Sequence, residues 1–511
     1  MHLPVLNATQ AAEWDERART ECRVPSRVLM ETAGRAVAAA LSRCYPAELA
    51  RGVLVVAGHG NNGGDGWVTA RALHALGVQV RVVELDHARS PDCDANRVLA
   101  MAEGVTTIAA GVDWPRTGIV VDALLGTGAS GAPRGEIGEL AARIAAFEGP
   151  VVAVDGPTGL DLTTGEAHGP VRASLTVTFG GARRGHLLQR DWCGTVVIAD
   201  IGFPPPLAEW PALFTHDDAR RLLPPFEADM HKGARGRIVV VGGAEGMAGE
   251  ALHAASAAFA VGVGLVKLAA QPTTVQAAQS RLPDALTVTS ALGPELEPDL
   301  IEALEWADAV VVGPGLGRGD DRAAFVEAVL ERSTCPTVID ADALHTGRAA
   351  LVAGDAPRVF TPHPGEFRAA LPELADVLDT DRFGAAAGAP EALSARATVL
   401  LKGVPTVIAT PGEPLRVVAA GNPALATGGS GDLLCGFIAT FLARGLAPHD
   451  AAGLGAYTLG RAAELASEQL TVRATRPADV LAAVPELWRS LAVRPAAEPP
   501  VLYELPAPRL V

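Results

Sequence analysis

The order of apolar and polar positions predicts short buried strands that alternate with helices along most of the chain. Continuous apolar runs occur at residues 53–57 (VLVVA), 119–126 (IVVDALLG), 151–159 (VVAVDGPTG) and 237–243 (RIVVVGG). A strand with apolar side chains on both faces is typical of a parallel sheet that is covered by helices on its two sides. The pattern therefore predicts an α/β protein with parallel sheets, whose binding loops follow the carboxyl ends of the strands.

The series of strand, loop and helix starts twice, which predicts two domains. Residues 201–227 separate the two series and contain the proline clusters PPPLAEWP and LLPPFE. We expect an N-terminal domain at residues 1–215, a linker at 216–229 and a C-terminal domain at 230–490. The remaining residues, 491–511, are rich in proline and alanine, and we expect this tail to be poorly ordered. The first 50 residues show a helical pattern and are expected to cover a sheet edge.

The charge of the chain argues against a nucleic-acid partner. Its 511 residues include 42 Lys and Arg against 58 Asp and Glu, which gives a net charge of −16. Aromatic residues make up only 4% of the chain, too few for base-stacking surfaces. An anionic ligand must therefore be held by local donors, and glycine-rich loops can supply them through backbone N–H groups.

Neither the cysteines nor the apolar segments indicate an exported or membrane protein. The six cysteines contain no CxxC pair and no zinc-like His spacing, so we expect reduced thiols. The N-terminus lacks a basic segment followed by an apolar core. The uncharged stretch at residues 251–266 is too short to span a bilayer and predicts a buried helix. We expect a cytoplasmic protein with no membrane contact.

Three strand ends in the first half combine glycines with polar side chains. A lone acid after a strand often caps the next helix, and this alternative stays open for each of them. Three such ends in one crevice favour a binding site instead. Oxygen ligands at Asn62, Asp122 and Thr158 would suit a hard cation better than zinc. The polar and glycine residues are Asn61, Asn62, Gly63, Gly64, Asp65 and Gly66 at the first end, Asp122 and residues 126–131 at the second, and Asp155, Thr158, Gly159 and Asp161 at the third.

The segment ALATGGSGDLLCG at residues 424–436 combines a glycine-rich turn with the start of an apolar helix. Small residues let backbone N–H groups approach an anion, and the positive end of the helix dipole favours a phosphate there. Asp432 lies in the first helical turn, where a carboxylate could accept the proton of an attacking hydroxyl. A helix cap is the other interpretation of Asp432, and the motif alone does not decide between them.

Three further residues in the second half are candidates with simple alternatives. The GPGLG segment that ends at Gly317 repeats the pattern of small residues after a strand, although a tight turn explains it equally well. Lys402 follows an apolar strand and could offset phosphate charge, or it could be a solvated lysine. His363 lies in a loop, where a surface position is the default.

The second half resembles the ribokinase-like ADP/ATP-dependent NAD(P)H-hydrate dehydratases. The matching segments are HKGARGRIVVVGG, the GMAG loop, GPGLG, TPHPGE, LLKG and GNPALATGGSGD, in this order over residues 230–470. The resemblance implies phosphorylation of the C6 hydroxyl of hydrated NADH or NADPH by ADP or ATP with magnesium, followed by elimination of phosphate. It implies that Asp432 is the catalytic acid or base. It also implies nucleotide contacts at Lys402, Gly403, Val404, Pro405, Thr406 and Gly431, and substrate contacts at Ala248, Gly317, His363 and Asp432.

The first half resembles the NAD(P)H-hydrate epimerase domain, which implies a Rossmann-like three-layer α/β/α fold. The matching motifs are GNNGGDG, DALLGTG and DGPTGLD within residues 10–215. The resemblance implies that Asp155 is the acid or base that interconverts the R and S hydrates, NADHX and NADPHX. It implies potassium ligands at Asn62, Asp122 and Thr158. The implied substrate contacts are Asn61, Asn62, Gly63, Gly64, Asp65, Gly126, Thr127, Gly128, Ala129, Ser130, Gly131, Ala132 and Asp155.

Three positions depart from the family patterns. Thr158 stands where Ser is usual, which keeps the hydroxyl. Glu250 is charged where a small residue is expected. Leu459 replaces the usual His, so we assign it no role.

The resemblance as a whole is to bifunctional nicotinamide nucleotide repair enzymes. The alternative is a small-molecule kinase of the ribokinase-like group, such as a vitamin-precursor kinase, with a non-catalytic N-terminal binding module. Acids at the strand ends of the first half argue against a mere scaffold. The sequence does not decide between ADP and ATP, and a homo-oligomer is expected by analogy of fold alone.

Overall fold

A computed structural model describes residues 2–114, 118–394, 396–493 and 499–510. It divides the chain into two units, one formed mainly by residues 2–210 and one by residues 211–493. Each unit has its own parallel sheet. The predicted α/β class with two domains is confirmed. Among the described residues, no helix is both long enough and apolar enough to cross a bilayer.

The elements of the N-terminal unit follow the predicted alternation of strands and helices. They are β1 (Val5–Leu6), α1 (Ala8–Thr20), α2 (Ser26–Cys44), α3 (Pro46–Leu49), β2 (Val53–Ala57), α4 (Asn61–Ala75), β3 (Val80–Glu84), α5 (Pro91–Ala102), β4 (Thr106–Ile108), β5 (Ile119–Ala123), α6 (Gly135–Ala145), β6 (Val151–Val154), β7 (Leu175–Phe179), β8 (Ala182–Arg183), α7 (Arg184–Leu188), α8 (Arg190–Cys193) and β9 (Thr195–Ala199).

The C-terminal unit continues the alternation and ends in three long helices. Its elements are β10 (Ala212–Leu213), α9 (His216–Leu222), β11 (Arg237–Val241), α10 (Ala248–Ala260), β12 (Leu265–Ala270), α11 (Pro272–Arg281), β13 (Leu286–Thr289), α12 (Pro298–Trp306), β14 (Ala309–Val312), α13 (Asp320–Arg332), β15 (Thr337–Ile339), α14 (Arg348–Leu351), β16 (Arg358–Phe360), α15 (Pro364–Ala370), α16 (Ala375–Thr380), α17 (Arg382–Leu393), β17 (Ala397–Leu401), β18 (Thr406–Ala409), β19 (Arg416–Val418), α18 (Ser430–Ala443), α19 (Pro448–Leu470) and α20 (Pro477–Ala492). The last strand of the chain is β20 (Val501–Leu505).

The sheet of the N-terminal unit has the order β20, β9, β7, β6, β5, β2, β3, β4. All neighbours are parallel except β20, which pairs antiparallel with β9. Strand β2 illustrates how helices cover both faces. Val53, Val55 and Ala57 pack with Trp67 of α4 in one core, while Leu54 and Val56 join a second core with α6. Side chains that alternate along a strand point to opposite faces, so the unit has three layers.

Strand β20 corrects one expectation. The proline-rich tail was expected to be poorly ordered, and this is wrong for Val501–Leu505, which pair with residues of β9. Residues 494–498 of the tail lie outside the described residues. The segment at 216–229, which was expected to be a linker, contains helix α9.

The sheet of the C-terminal unit has ten strands in the order β10, β19, β18, β17, β16, β15, β14, β11, β12, β13. Strands β11 to β17 pair with one another in parallel, whereas β18 is antiparallel to both β17 and β19. One face packs against the small-residue helix α10 and against α18, α19 and α20. The buried helix predicted at residues 251–266 is thus largely α10, whose Ala251, Ala254 and Ala258 are fully buried. Small side chains there let α10 and α18 pack closely, since a Cβ on Gly436 would lie 2.2 Å from the carbonyl oxygen of Ala254.

Candidate active sites

The loops after β2, β5 and β6 line one cavity of about 790 Å³ in the N-terminal unit. These three strands are neighbours in the sheet, and the chain order reverses between β2 and β5. A crevice at such a switch point is the expected ligand site of an open parallel sheet. The structure thus brings the three predicted strand ends together. Their lining residues include Asn61, Asn62, Asp65, Gly126, Thr127, Gly128, Ala129 and Asp155.

Asp155 is the most firmly held carboxylate of this cavity. It directly follows β6 with φ of 63°, an uncommon value for a residue other than glycine. One carboxylate oxygen accepts hydrogen bonds from the backbone N–H (2.8 Å) and the hydroxyl of Thr127. The other accepts from the hydroxyl of Thr178 at 3.0 Å and lies 3.3 Å from a guanidinium nitrogen of Arg183. Burial alone would raise the pKa of Asp155, but Arg183 and Thr127 lower it below its ordinary value.

His186 supports the unusual backbone of Asp155 from behind. The ring is fully buried, its Nδ1 accepts the backbone N–H of Arg183 at 3.1 Å, and its Nε2 lies 2.8 Å from the carbonyl oxygen of Asp155. Since Nδ1 accepts an N–H, Nε2 must carry the proton and donate to Asp155. Burial lowers the pKa of His186 to about 4, which keeps the ring neutral.

Asp122 lies beneath the cavity and is fully buried. Its two oxygens accept the backbone N–H and the hydroxyl of Thr158, both at 2.8 Å. Burial raises the pKa of Asp122 to about 6 despite these hydrogen bonds. No ion pair of Asp122 is present among the described residues. A cation at this position would therefore offset a buried carboxylate that has no positively charged partner.

Asn62 is the second residue of α4 and lies close to Gly126. A Cβ on Gly126 would lie 3.1 Å from the Asn62 amide oxygen and 3.0 Å from Asp155 Oδ2, so these groups surround one glycine. The Asn62 amide nitrogen is buried and has no hydrogen-bond partner in the described structure. Asn62, Asp122 and Thr158 together offer only amide, carboxylate and hydroxyl oxygens. This donor set suits a hard cation better than zinc.

Several predicted substrate residues of the first half have a packing role instead of lining the cavity. A Cβ on Gly63 would lie 1.9 Å from the carbonyl oxygen of Gly58, and one on Gly64 would lie 2.5 Å from Met30 Sδ. These glycines therefore allow α4 to begin directly against β2 and α2. Ser130, Gly131 and Ala132 are exposed and lie outside the cavity lining.

The candidate site of the C-terminal unit lies at the ends of β15, β16 and β17, which are adjacent in the sheet. Lys402 follows β17, and its ammonium nitrogen lies 2.8 Å from Asp340 Oδ1 and 3.6 Å from Glu366 Oε2. Asp340 follows β15, and Glu366 is on α15 after β16. Burial would lower the pKa of Lys402, but Asp340 and Glu366 raise it above its ordinary value. The lysine is thus held charged and in place, and is not a solvated side chain.

The glycine-rich turn ends directly beside Lys402. Helix α18 begins at Ser430, and its cap is Gly429 in a left-handed conformation (φ 96°). A Cβ on Gly431 would lie 3.3 Å from Asp340 Oδ2 and 3.4 Å from Lys402 Nζ. The first-turn N–H groups of α18 have no partners within the helix and can bind an anion. Asp432 is the third residue of α18 and therefore does not occupy the cap position.

Asp432 is buried among other carboxylates. Burial raises its pKa to about 8, and the charges of Asp340, Glu250 and Glu366 act in the same direction, while Lys402 opposes them. A carboxyl group with this pKa can exchange a proton near neutral pH. The negative charges that act on Asp432 thus outweigh the positive charge of Lys402, and the site can accommodate further positive charge.

The segment from Lys402 to Thr406 is held by a half-buried arginine. Arg382 donates to the carbonyl oxygens of Pro405 at 2.9 Å and Leu401 at 3.1 Å, and also to that of Lys402. Burial lowers the pKa of Arg382 to about 10. Val404 is exposed between the fixed ends of this segment.

The other predicted substrate residues lie in neighbouring loops. Ala248 is the first residue of α10. Gly317 has a φ of 78° and donates its N–H to Asp342 Oδ2 at 2.9 Å. His363 is exposed, and its Nδ1 accepts the N–H groups of Gly365 and Glu366, so it caps α15.

Comparisons with known proteins identify the family to which each half of the chain is similar. A family model described as NAD(P)H-hydrate dehydratase matches residues 238–486, and one described as YjeF-related protein N-terminus matches residues 26–185. The bifunctional NAD(P)H-hydrate repair enzyme of Moorella thermoacetica is 36% identical over 518 residues, which cover 95% of this chain and 97% of the relative. The corresponding enzyme of Escherichia coli is 35% identical over 466 residues, covering 88% of this chain and 87% of the relative.

The chain belongs to the family of bifunctional NAD(P)H-hydrate repair enzymes.

A solved structure extends the comparison to the fold. The crystal structure of the ADP/ATP-dependent NAD(P)H-hydrate dehydratase from Bacillus subtilis, co-crystallized with ATP and Mg²⁺, matches with a TM-score of 0.50 and 28% identity. It covers 55% of this chain and 98% of the Bacillus chain. The ribokinase-like fold expected for the C-terminal domain of this repair-enzyme family member is confirmed.

Sequence reasoning missed several residues that build the two sites of this repair-enzyme family member. Asp340 and Glu366 fix Lys402, Arg382 fixes the segment after it, and His186 fixes Asp155. The signal for Asp340 is its position directly after an apolar strand, in TVIDADAL, the same signal that drew attention to Asp122. Glu366 lies in the TPHPGE segment, in which only His363 was given a role. Arg382 and His186 lie in helices, and nothing in the sequence alone distinguishes them.

Leu459 and Glu250, which depart from the family pattern, occupy different environments in the structure. Leu459 is buried in the core of the C-terminal unit, which is consistent with a packing position. Glu250 is half-buried on α10, where the backbone N–H of Gly315 binds its carboxylate and its charge contributes to the raised pKa of Asp432. The departure at Glu250 therefore alters the electrostatics of the site.

Proposed function

We propose that the chain repairs hydrated NADH and NADPH with one activity in each unit. The C-terminal unit dehydrates the S form to NAD(P)H at the expense of ADP or ATP, and the N-terminal unit interconverts the R and S forms. The observation that supports this most strongly is Asp432, a buried carboxyl with a pKa of about 8 in the first turn of a helix whose glycine-rich N-terminus lies beside Lys402. The alignment with the bifunctional NAD(P)H-hydrate repair enzyme of Moorella thermoacetica, which covers 95% of this chain, also supports the proposal.

In the dehydratase step, Asp432 accepts the proton of the C6 hydroxyl as that oxygen attacks the terminal phosphoryl group of the nucleotide. The N–H groups at Gly431 and the ammonium group of Lys402 stabilise the negative charge on the transferred phosphoryl group. The C6 phosphate then leaves, because phosphate is a far better leaving group than hydroxide. A proton is lost from C5 as the phosphate leaves, so the C5–H and C6–O bonds break while the C5–C6 double bond forms. The products are NAD(P)H and inorganic phosphate, with the phosphorylated compound as an intermediate.

The nucleotide and the hydrate contact different parts of this site. We assign the nucleotide to Lys402, Gly403, Val404, Pro405, Thr406 and Gly431, and the hydrate to Ala248, Gly317, His363 and Asp432. The ATP complex of the Bacillus dehydratase supports a nucleotide site in this fold. Magnesium bound with the nucleotide would offset the excess of carboxylates at Asp340, Glu250 and Glu366, and would shield the charge of the phosphates.

In the epimerase unit, the hydrate occupies the cavity above the strand ends. Asp155 presents a fixed anion to it, and residues 126–129 together with Asn61, Asn62 and Asp65 form the walls. Potassium would be held by Asn62, Asp122 and Thr158, where it would supply the positive charge that Asp122 lacks. Asp155 is the residue expected to act as acid or base in the inversion at C6.

The proposed dehydratase is tested by a balance of products. The chain is incubated with the S hydrate of NADPH and ADP, and both the dihydropyridine absorbance and inorganic phosphate are followed. We expect one NADPH and one phosphate for each ADP consumed. A stable phosphorylated organic product without recovery of NADPH would instead favour the alternative, a small-molecule kinase with a non-catalytic N-terminal module.

A further inference from the structure

The epimerase cavity contains one carboxyl group without a partner. Four aspartates line this cavity. Asp15 pairs with Arg19 at 3.0 Å, Asp92 accepts the hydroxyl of Ser26 at 2.6 Å, and Asp155 is held by four donors. In the described structure, the side chain of Asp65 has neither a hydrogen bond nor an ion pair. A carboxyl that is left unpaired where its neighbours are all held is available to a ligand.

The backbone places Asp65 rigidly in the cavity wall. It is the fifth residue of α4, and its carbonyl oxygen accepts the hydroxyl of Thr69 at 2.8 Å. The next residue, Gly66, packs so closely that a Cβ there would lie 2.6 Å from Ala123 Cβ of β5. Helix α4 is therefore fixed against the sheet, and Asp65 stays in the cavity wall.

The two acids at the strand ends differ in their protonation. Burial raises the pKa of Asp65 well above its ordinary value, and the negative charges of Asp155 and Asp15 raise it further. The pKa of Asp155 is lowered, as described above. Two carboxyls whose environments move their pKa values in opposite directions are suited to separate acid and anion roles.

We propose that Asp65 is the catalytic proton carrier of the epimerase, and that Asp155 is a fixed anion that stays ionised throughout. This inference rests on the proposed epimerase function and reassigns the acid–base role within it. It also explains why Asp155 is bound by Arg183, two threonine hydroxyls and a backbone N–H. Protonation of Asp155 would lose the ion pair and weaken those bonds, whereas the side chain of Asp65 has no hydrogen bond or ion pair in the described structure to lose when its proton moves.

The proton transfer balances without any further reactant. The carboxyl proton of Asp65 passes to the C6 hydroxyl, the C6–O bond breaks, and water leaves as the N1 lone pair forms a C6–N1 double bond. Asp155 stabilises the cation so formed. Water then adds to C6 on the other face, the C6–N1 double bond returns to a lone pair on N1, and the released proton returns to the Asp65 carboxylate. The net change is inversion at C6, with no oxidation or reduction.

Several titratable groups surround Asp65, on α2, on α5 and in the cavity wall. Glu31 of α2 is held by Arg71, and Cys93 of α5 is a buried thiol with a pKa raised by burial to about 11. The remaining titratable groups of the cavity wall are Asp15, Arg19, His59, Asp92, Asp155 and Arg183. The arginines are already paired with Asp15 and Asp155.

The test is the pH profile of epimerisation by the full-length chain. The R hydrate of NADPH is supplied without nucleotide, and formation of the S hydrate is followed by chromatography. For the wild type we expect kcat to fall at high pH as Asp65 loses its proton, which we call the alkaline fall.

For Asp65→Asn we expect kcat to decrease about 100-fold and KM to stay within about threefold of the wild type, with no alkaline fall in kcat. Asp65→Glu should restore part of the rate with the alkaline fall at a different pH. Asp94→Asn, an exposed change on α5, serves as the control and should match the wild type.

The outcomes separate this inference from the proposed function. A wild-type chain that does not accelerate epimerisation contradicts the epimerase function itself. A wild type that epimerises, with D65N retaining its rate and alkaline fall, overturns only the role of Asp65. Dehydration of the S hydrate by the same preparations reports whether each variant is folded. If D65N fails to fold, Asp65→Glu carries the test, and an alkaline fall at the wild-type pH overturns the proposal.

Discussion

The ammonium nitrogen of Lys402 lies 2.8 Å from a carboxylate oxygen of Asp340, whose side chain is only 2% exposed. This pair joins the ends of β17 and β15 directly beside the N-terminus of α18. Lys402 lowers the pKa of Asp432, whereas the charge of Asp340 raises that pKa. Replacement of Lys402 should therefore change both the stability of the unit and the pH at which Asp432 becomes a base.

For Lys402→Met we expect a lower free energy of unfolding, by about 3 kcal/mol, because the buried carboxylate of Asp340 loses the ammonium group that pairs with it in the described structure. We also expect the pH profile of kcat/KM for dehydration to move. A base must be ionised, so activity rises as pH increases through the pKa of Asp432, near 8. Without Lys402 that rise should occur at higher pH. Lys232→Met, an exposed change, is the control, and an unmoved profile in K402M would refute the electrostatic role.

Asp432→Asn should abolish turnover while leaving nucleotide binding intact. The amide cannot accept the hydroxyl proton, and loss of a general base typically costs about 10² to 10⁴ in rate. Calorimetric titration with ADP should give a dissociation constant within about threefold of the wild type. A joint loss of ADP binding and thermal stability would show that Asp432 supports the helix instead of the chemistry.

Potassium should stabilise the N-terminal unit in a pH-dependent way through Asp122. The pKa of this carboxyl is raised to about 6, so below that pH it is protonated and needs no cation. Above it, the buried charge destabilises the fold unless a cation is bound. We expect potassium to raise Tm at about pH 7.5 and to have little effect at about pH 5. Asp122→Asn should remove the effect of potassium on Tm at both pH values, and choline serves as the control cation. If potassium raises the Tm of D122N as much as that of the wild type, potassium does not bind at this site.

His186→Phe should damage the epimerase and spare the dehydratase. The change removes the ring nitrogens that bind the N–H of Arg183 and the carbonyl of Asp155, and each buried group left unpaired costs about 1–3 kcal/mol. Asp155 would then lose its support at an unfavourable backbone conformation. Rates of both activities on one preparation provide the measurement, and His87→Phe, at an exposed position, is the control. A normal epimerase rate in H186F would show that Asp155 does not depend on this contact.

Most strands of both sheets were predictable from the sequence. Strand β20 was not, and it shows which kind of strand the sequence pattern does not reveal. Runs such as VLVVA and RIVVVGG are apolar on both faces, so their burial in a parallel sheet follows from the pattern alone. The strand β20 was missed because VLYEL stands in a proline-rich tail. Its order depends on pairing with β9, some 300 residues earlier, and local composition carries no information on such a partner.

The residues of the two sites were predictable only where they form part of a local sequence motif. The glycine turn before Asp432, Lys402 after its strand and the three strand ends of the first half were all found in this way. Asp340 and Glu366 were not, because an acid near a strand or helix end usually has a capping role. Their function becomes visible only when the sheet order places β15 and β16 between β14 and β17.

The most direct test of the whole account is recovery of NADPH from a mixture of both hydrate epimers. The full-length chain is supplied with excess ADP, magnesium and potassium, and the dihydropyridine absorbance is followed to completion. We predict that the entire mixture returns to NADPH, faster than the spontaneous interconversion of the epimers allows. Recovery that stops at the S fraction would contradict the epimerase, and no recovery at all would contradict the assignment of both units.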